Sequence, residues 1–277
     1  MTVGNPVGSF IWYELMTNDP DAATAFYGSV VGWRIGPNVM GEMAPGTEMD
    51  YRMIERLDGG GAGCGYTGGV FTLDAEMTAQ GARPGWTGYI YVPDVDAKVA
   101  EIVAEGGSVH VPATTMPGVG RFSMVTDPQG AAFYVMTPEP PADDPDAASD
   151  VFSVDKPQTI RWNELVTPDD EAAVAFYTKH FGWTQEGAMP MGPLGDYRFI
   201  QSEGVQIGAI MKKADFMPVA GWTYYIGVDD IDRAFAAVKD GGGKPQGEPM
   251  QIPTGEFTVH AFDPQGGYFG LVGPRKG

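Results

Sequence analysis

The feature that most constrains the fold of this chain is an internal repeat. Residues 10–33 and 160–183 align without a gap at an offset of 150, and 12 of the 24 paired residues are identical. A second alignment, at an offset of 136, begins with residues 85–99 and 221–235 and runs without a gap to a DPQG sequence in each copy. Matches of this length indicate two homologous domains rather than one continuous fold.

The repeat also sets the domain boundaries that we predict for the 277 residues. A first domain covers 1–140, a linker covers 141–157 and a second domain covers 158–277. Pro, Ala and Asp dominate the segment between the copies, which is typical of an exposed, partly extended linker. The first copy is longer by 150 − 136 = 14 residues. Its extra residues include a glycine-rich loop at 59–69, which we interpret as a hairpin or lid.

Each domain contains the same series of elements twice. Asp19 and Asp169 follow the first strand of each copy, and an Asp at a helix start accepts hydrogen bonds from free backbone N–H groups. Apolar residues at helical spacing then predict a helix over 20–31, and the same pattern predicts a helix over 95–105. Strand-like runs follow each helix. The sequence therefore predicts four βαβββ modules.

Three recurring motifs carry a resemblance to a known family. They are D…A.AFY…GW at 19–33 and 169–183, V.D.D at 92–96 and 228–232, and DPQG at 127–130 and 263–266. With these motifs the chain resembles the vicinal oxygen chelate superfamily, which includes glyoxalase I, bleomycin-resistance proteins and extradiol dioxygenases. The resemblance covers nearly the whole chain outside the linker. It implies an α+β fold of tandem domains, in which the modules form two cup-shaped sheets with the helices outside.

The resemblance also implies a metal ion inside each cup, held by His, Gln or Glu. The corresponding positions hold Trp12, Thr87 and Tyr134 in the first copy and Trp162, Thr223 and Gly270 in the second. Divalent metals in such sites require imidazole, carboxylate or thiolate ligands, which none of these residues provides. We therefore expect neither copy to hold the family's metal, and we expect no cofactor.

The same strands supply candidate ligand-binding residues, because side chains two residues apart on a strand share a face. For the first cup they are Trp12, Glu14, Thr87, Tyr89 and Tyr134, and for the second Trp162, Glu164, Thr223, Tyr225 and His260. The two glutamates are the catalytic candidates, since burial beside Trp raises a carboxyl pKa and suits it to acid–base chemistry. The alternative is structural, with each Glu bonded to a neighbouring strand, an Arg or a Tyr hydroxyl.

The charge of the chain excludes some classes of partner. Its 17 basic and 36 acidic residues give a net charge of −19, which disfavours nucleic acid and anionic membranes. The start lacks a basic signal segment, and no run approaches 18 apolar residues, so we expect a cytoplasmic protein that is a monomer or a homodimer.

Two functional hypotheses follow from these residues. The first is a protein that binds a small aromatic or amphiphilic metabolite in metal-free cups. The alternative is an enzyme of the superfamily, a glyoxalase-like lyase or isomerase or a dioxygenase-like enzyme. It would use Glu14 or Glu164 as acid and base, or an atypical metal site made of Glu14, Glu164 and His260.

Overall fold

The computed structural model describes most of the chain. The described residues are 4–43, 49–57, 65–140, 144–214 and 220–276. Most of the glycine-rich loop that we interpret as a hairpin or lid, residues 59–64, lies outside them. Among the residues that the structure describes, no helix has the length and apolar character needed to cross a membrane.

The elements follow the predicted order in both copies. The first copy contains β1 (Phe10–Thr17), α1 (Pro20–Val31), β2 (Arg34–Asn38), α2 (Met40–Met43), β3 (Tyr51–Glu55), β4 (Tyr66–Thr72), α3 (Ala75–Ala79), β5 (Gly85–Tyr91), α4 (Val95–Ala104), β6 (Ser108–Met116), β7 (Gly120–Thr126) and β8 (Ala132–Pro138). The second contains β9 (Ile160–Thr167), α5 (Asp170–Phe181), β10 (Thr184–Pro190), a 3₁₀ turn (Gly192–Leu194), β11 (Asp196–Ser202), β12 (Val205–Lys212), β13 (Gly221–Gly227), α6 (Ile231–Asp240), β14 (Lys244–Pro245), β15 (Met250–Gln251), β16 (Phe257–Phe262) and β17 (Tyr268–Gly273). The prediction of an α+β fold with four βαβββ modules is confirmed.

The chain divides into two compact units, and each unit takes about half of each copy. The first unit contains 1–11, 87–149 and 162–222, and the second contains 12–86, 150–161 and 223–277. Strand order in the first unit is β5-β8-β7-β6 and β10-β11-β12-β9, and in the second unit β2-β3-β4-β1 and β13-β17-β16-β14, with β15 also paired to β16. In each module the first and last strands pair in parallel and the remaining pairs are antiparallel. The domain boundaries at 140 and 158 stay a prediction.

Local sequence explains where the helices begin and end. Asp19 precedes α1, and its carboxylate accepts a hydrogen bond from the backbone N–H of Ala22 at 2.9 Å. Gly32 ends α1 with φ of 86°, a left-handed conformation that glycine adopts without strain. Asp169 begins α5 in the same way. The repeated motif therefore contains its own start and stop signals for a helix.

A chain of polar contacts between aromatic rings and a carboxylate lies in the core of the second unit. Trp86 Nε1 donates to the hydroxyl of Tyr27 at 2.9 Å, and that hydroxyl donates to Asp263 Oδ2 at 3.0 Å. The other oxygen of Asp263 accepts the backbone N–H groups of Gln265 and Gly267. Burial raises the pKa of Asp263, and these hydrogen bonds oppose the rise.

The first unit repeats this arrangement with the other halves of the two copies. Trp222 Nε1 donates to the Tyr177 hydroxyl at 3.2 Å, which donates to Asp127 Oδ2 at 3.1 Å. Tyr27 and Tyr177 belong to the AFY sequence, and the two aspartates begin the DPQG sequences. The residues that carry the family resemblance therefore build the core of each unit.

The segment between the copies is exposed over much of its described length and packs against strands at a few residues. Val151 is buried, and the Arg56 side chain bonds to the carboxylate and backbone oxygen of Asp150 in the second unit. The backbone oxygen of Gln158 accepts hydrogen bonds from Trp33 Nε1 and the Thr67 hydroxyl. Val151 is thus buried, whereas residues 154–157 at the end of the predicted linker are exposed, and the linker boundaries stay a prediction.

Candidate functional site

One group of aromatic rings and a carboxylate lies on β9 and β11 of the first unit. Trp162 Nε1 donates to the hydroxyl of Tyr197 at 2.7 Å, and this hydroxyl donates to Glu164 Oε2 at 2.6 Å. Glu164 is buried, with 9% of its surface exposed, whereas both rings are half-buried. Burial, and then the charge of Glu164, raises the pKa of Tyr197 well above its usual value. The hydroxyl therefore stays protonated and continues to donate to the carboxylate.

The two rings lie side by side rather than on top of one another. Their planes differ by 7° and their centroids are 6.4 Å apart. Carbon atoms of rings packed face to face are separated by about 3.5 Å or more, which exceeds the 2.7 Å between Trp162 Nε1 and the Tyr197 hydroxyl. The rings are therefore nearly parallel and joined at their edges by this hydrogen bond, and we call the pair the Trp162–Tyr197 surface.

Phe199 packs nearly perpendicular to both rings of this surface. Its ring makes an angle of 79° with Trp162 and 82° with Tyr197, at centroid distances of 6.2 and 5.9 Å. Ala209 on β12 pairs with Glu164 on one side and with Phe199 on the other. A small side chain at this position lets the residues of β11 reach the carboxylate on β9. The Trp162–Tyr197 surface thus has a perpendicular apolar side and a carboxylate.

The first copy contains a related but different arrangement on β1 and β3, in the second unit. Trp12 Nε1 donates to the Tyr51 hydroxyl at 2.7 Å, and Glu14 is buried. Gly69 pairs with Glu14, and a Cβ atom placed on Gly69 would lie 2.1 Å from the Tyr51 hydroxyl. Ala209 of β12 takes the position of Gly69 in the second copy. Its methyl group occupies the space that Gly69 leaves for the Tyr51 ring, so Tyr197 cannot lie against β12 as Tyr51 lies against β4. Met53 pairs with Gly69 where Phe199 pairs with Ala209.

A second group of candidate residues meets on β13, β16 and β17 of the second unit. The hydroxyl of Tyr225 is hydrogen-bonded to His260 Nε2, and the His260 ring lies 5.4 Å from the Tyr268 ring with their planes 28° apart. Gly270 pairs with both Tyr225 and His260 across the strands. A Cβ atom on Gly270 would meet the Tyr225 ring at 2.5 Å, so the space left by this glycine is taken by Tyr225.

A cavity of ≈ 290 Å³ lies beside this group. Its lining residues are Gln246, Gly247, Glu248, Met250, Thr258, Val259 and His260. The cavity exists where the second strand of the module is interrupted, since β14 ends at Pro245 and β15 begins at Met250. The corresponding strand of the first copy, β6, runs without interruption from Ser108 to Met116.

The first copy fills the corresponding positions of its second module with rings. Tyr89 and Tyr134 stack in the first unit at 4.2 Å with their planes 2° apart. Phe122 packs edge-on against both, at 6.4 and 6.1 Å. Thr258 replaces Phe122 and Gly270 replaces Tyr134 in the second copy, by the offset of 136. The two copies therefore present different side chains on equivalent strands.

The positions that correspond to the family's metal ligands do not fit a divalent ion. Trp12 and Trp162 use their indole nitrogens as donors to tyrosines, Tyr134 is stacked, and Gly270 has no side chain. Thr87 and Thr223 are buried hydroxyls, neither of them an imidazole or a carboxylate. Among the described residues, no three His, Cys, Asp or Glu side chains are close enough to hold a metal ion. The atypical set of Glu14, Glu164 and His260 therefore lacks support.

The predicted site residues thus fall into separate groups. The structure brings together Trp162 with Glu164 through Tyr197, Tyr225 with His260, and Tyr89 with Tyr134. Sequence reasoning missed Tyr51 and Tyr197, which bond the predicted tryptophans. The sequence contains a signal for these two tyrosines, because the tripeptide DYR occurs in both copies, at 50–52 and 196–198.

The chain matches a known family over both copies. The matching family is described as the Glyoxalase/Bleomycin resistance protein/Dioxygenase superfamily, over residues 9–135 and 159–269. The chain is 32% identical to "Putative glyoxylase CFP32" of Mycobacterium tuberculosis (strain CDC 1551 / Oshkosh), over 95% of this chain and 94% of that protein. It is 26% identical to "Anthracycline biosynthesis protein DnrV" of Streptomyces peucetius, over 98% and 94% of the two chains.

Solved structures agree in fold. A Mn(II)-bound glyoxalase from Novosphingobium aromaticivorans superposes with a TM-score of 0.62 at 17% identity, over 98% of this chain and 83% of that one. The 2,3-dioxygenase LapB from Pseudomonas sp. KL28 superposes with a TM-score of 0.61 at 14% identity, over 98% and 94%. At these identities the likeness concerns the fold alone. The chain belongs to the glyoxalase/bleomycin resistance protein/dioxygenase superfamily.

Proposed function

We propose that the chain binds a small, flat aromatic or amphiphilic compound without a metal ion, and that the Trp162–Tyr197 surface is its main contact. The observation that carries the proposal is the side-by-side arrangement of these two half-buried rings, with the Tyr197 hydroxyl bonded to Glu164. Apolar walls with a few fixed polar groups are typical of small-molecule sites.

The physical chemistry of the surface sets the class of ligand. Covering about 100 Å² of apolar ring surface stabilises a complex by about 2.5 kcal/mol, and a flat ligand covers both rings at once. The carboxylate of Glu164 favours a hydroxyl or a cationic nitrogen at the edge of the ligand. The net charge of −19 also favours a cationic ligand, because it attracts cations to the protein. A relative named for anthracycline biosynthesis supports this class, since anthracyclines contain flat fused rings.

The metal-free part of the proposal is supported by the donor set. The indole nitrogens of Trp12 and Trp162, the two threonines and the stacked Tyr134 provide no ligand that a divalent ion prefers. Binding then depends on ring contact and on hydrogen bonds rather than on coordination. A chelator is therefore expected to leave the affinity unchanged.

A titration with an anthracycline as the probe tests the proposal, followed by intrinsic tryptophan fluorescence and by calorimetry. Trp162→Ala is expected to weaken binding about tenfold, which corresponds to 1.4 kcal/mol of lost contact. The matched variant Trp12→Ala, in the copy whose tyrosine lies against Gly69, is expected to change the affinity less than twofold. Equal effects of the two variants, or loss of binding after treatment with a chelator, would contradict the proposal.

A second candidate function rests on the same carboxylate. Glu164 is buried and touches a hydroxyl that stays protonated, an environment in which a carboxyl group can act as a general acid or base. A relative named as a glyoxylase supports this alternative. Assays of glyoxalase and ring-cleavage activity test it, with Glu164→Gln expected to abolish turnover and Glu14→Gln serving as the matched variant. Full activity of both variants would exclude a catalytic glutamate.

A further inference from the structure

The cavity beside β16 belongs to a part of the chain that the proposal above does not use. It is formed by two differences between the copies. The second strand of the module is broken between Pro245 and Met250, and Thr258 stands where the first copy has Phe122. Phe122 packs edge-on against two tyrosine rings in the first copy, whereas Thr258 lines the cavity.

One side of the cavity is held in a fixed position. His260 Nε2 is bonded to the Tyr225 hydroxyl, and the His260 ring packs nearly parallel to the Tyr268 ring. These contacts restrain the imidazole on two sides before any ligand arrives. Because the ring is already fixed, ligand binding does not have to order this side chain, and less conformational entropy is lost.

Other lining residues make the cavity both apolar and acidic. Met250 is 70% exposed, so its thioether has surface that a ligand can cover. Glu248 is the one carboxylate among the lining residues, and none of the lining residues is Lys or Arg. A site with this composition favours a cation over a neutral compound, and a neutral compound over an anion, when the apolar part of the ligand is the same.

The volume limits the size of the ligand. A cavity of ≈ 290 Å³ is at the small end of ligand sites, and it equals the volume of about ten water molecules. A single aromatic ring with a short side chain fits this space, whereas a compound as large as an anthracycline exceeds it. We propose that this cavity is a separate ligand site for a monocyclic aromatic amine, with the ammonium group against Glu248 and the ring between Met250 and His260.

Three compounds that share one ring test the charge preference. Benzylamine, benzyl alcohol and benzoate are titrated into protein labelled with ¹³C at the methionine methyl groups, and the Met250 signal is assigned with Met250→Leu. The Met250 signal is expected to shift saturably, with the affinity falling from benzylamine to benzyl alcohol to benzoate. Benzoate that binds as tightly as benzylamine would overturn the proposal, and so would a Met250 signal that none of the compounds moves.

Two variants locate the site. Glu248→Gln keeps the size of this exposed side chain and removes its charge. It is expected to weaken the affinity for benzylamine two- to fivefold, the range of an exposed ion pair, and to leave the affinity for benzyl alcohol unchanged. Thr258→Phe restores the residue of the first copy and is expected to abolish binding, with the other methionine signals reporting an intact fold. Unchanged benzylamine affinity in both variants would refute the site. Trp162→Ala separates the two proposals, because it is expected to affect the anthracycline and not benzylamine.

Discussion

Replacement of Tyr27 by Phe tests the assignment of the family motif to the core. The hydroxyl of Tyr27 accepts from Trp86 Nε1 and donates to Asp263 Oδ2, and all three groups are buried or largely buried. The variant keeps the ring and removes only the oxygen. An indole N–H is then left without its acceptor, and a buried carboxylate loses one donor.

The expected loss of stability follows from these two groups. A buried polar group left without a partner costs about 1–3 kcal/mol, so Tyr27→Phe is expected to cost about 2–4 kcal/mol. The backbone N–H groups of Gln265 and Gly267 still satisfy the other oxygen of Asp263, which limits the loss. At about 2–4 °C per kcal/mol, the change corresponds to a fall in the midpoint of thermal unfolding of about 4–16 °C. Tyr177→Phe should behave alike, because it forms the same contacts in the first unit.

Calorimetry and urea unfolding at pH 7 measure the effect. Tyr91→Phe is the control, since Tyr91 is only half-buried, and it is expected to stay within about 0.5 kcal/mol of the parent. The double variant Tyr27→Phe, Trp86→Phe removes the orphaned donor as well, and its cost is expected to be less than the sum of the two single costs. A change below 0.5 kcal/mol for both Tyr27→Phe and Tyr177→Phe would refute the role of the chain of contacts.

Three further predictions concern pH and packing. Burial lowers the pKa of His180, so the folded state loses stability as pH falls below about 6.5. His180→Met is therefore expected to reduce the dependence of the unfolding free energy on pH between pH 7 and 5. An unchanged dependence would contradict this. Burial raises the pKa of Asp263, so the folded state loses stability as pH rises from about 4. The loss of unfolding free energy caused by Asp263→Asn is therefore expected to become smaller from pH 4 to 7 in urea titrations. A loss that grows with pH would contradict a raised pKa. Gly270→Ala places a methyl group 2.5 Å from the Tyr225 ring, so it is expected to lower the unfolding free energy by about 1–3 kcal/mol and to shift the ¹⁵N signals of His260. A variant as stable as the parent would show that Tyr225 does not occupy this space.

Much of the fold followed from patterns that act over short distances. The helices predicted over 20–31 and 95–105 occur as Pro20–Val31 and Val95–Ala104, because capping residues and apolar spacing are properties of neighbouring residues. Contacts between distant residues did not follow from such patterns. Arg56 bonds to Asp150 and Thr67 bonds to Gln158, residues that lie 94 and 91 positions apart.

Some contacts in the candidate site follow from the strand pattern. Alternation along a strand places Trp162 and Glu164 on one face, and both bond to the Tyr197 hydroxyl. Tyr197 was missed, because its hydroxyl reaches Glu164 from 33 residues further along the chain, across the intervening strand β12. The residue that allows this reach, Ala209, has no chemistry of its own and becomes visible only through register.

The sequence by itself determined the two copies, the four modules, the family and the residue types at the positions of the family's metal ligands, since repeats and residue types are read without coordinates. The tertiary structure decided which residues meet. Tyr27 bonds Asp263 across 236 positions, and Tyr225 bonds His260 across 35. It also decided that the space beside Gly270 is filled while a cavity forms next to His260. The physical reason is that local patterns fix helices and strands, whereas contacts between distant side chains depend on strand register and on the size of the residues between them.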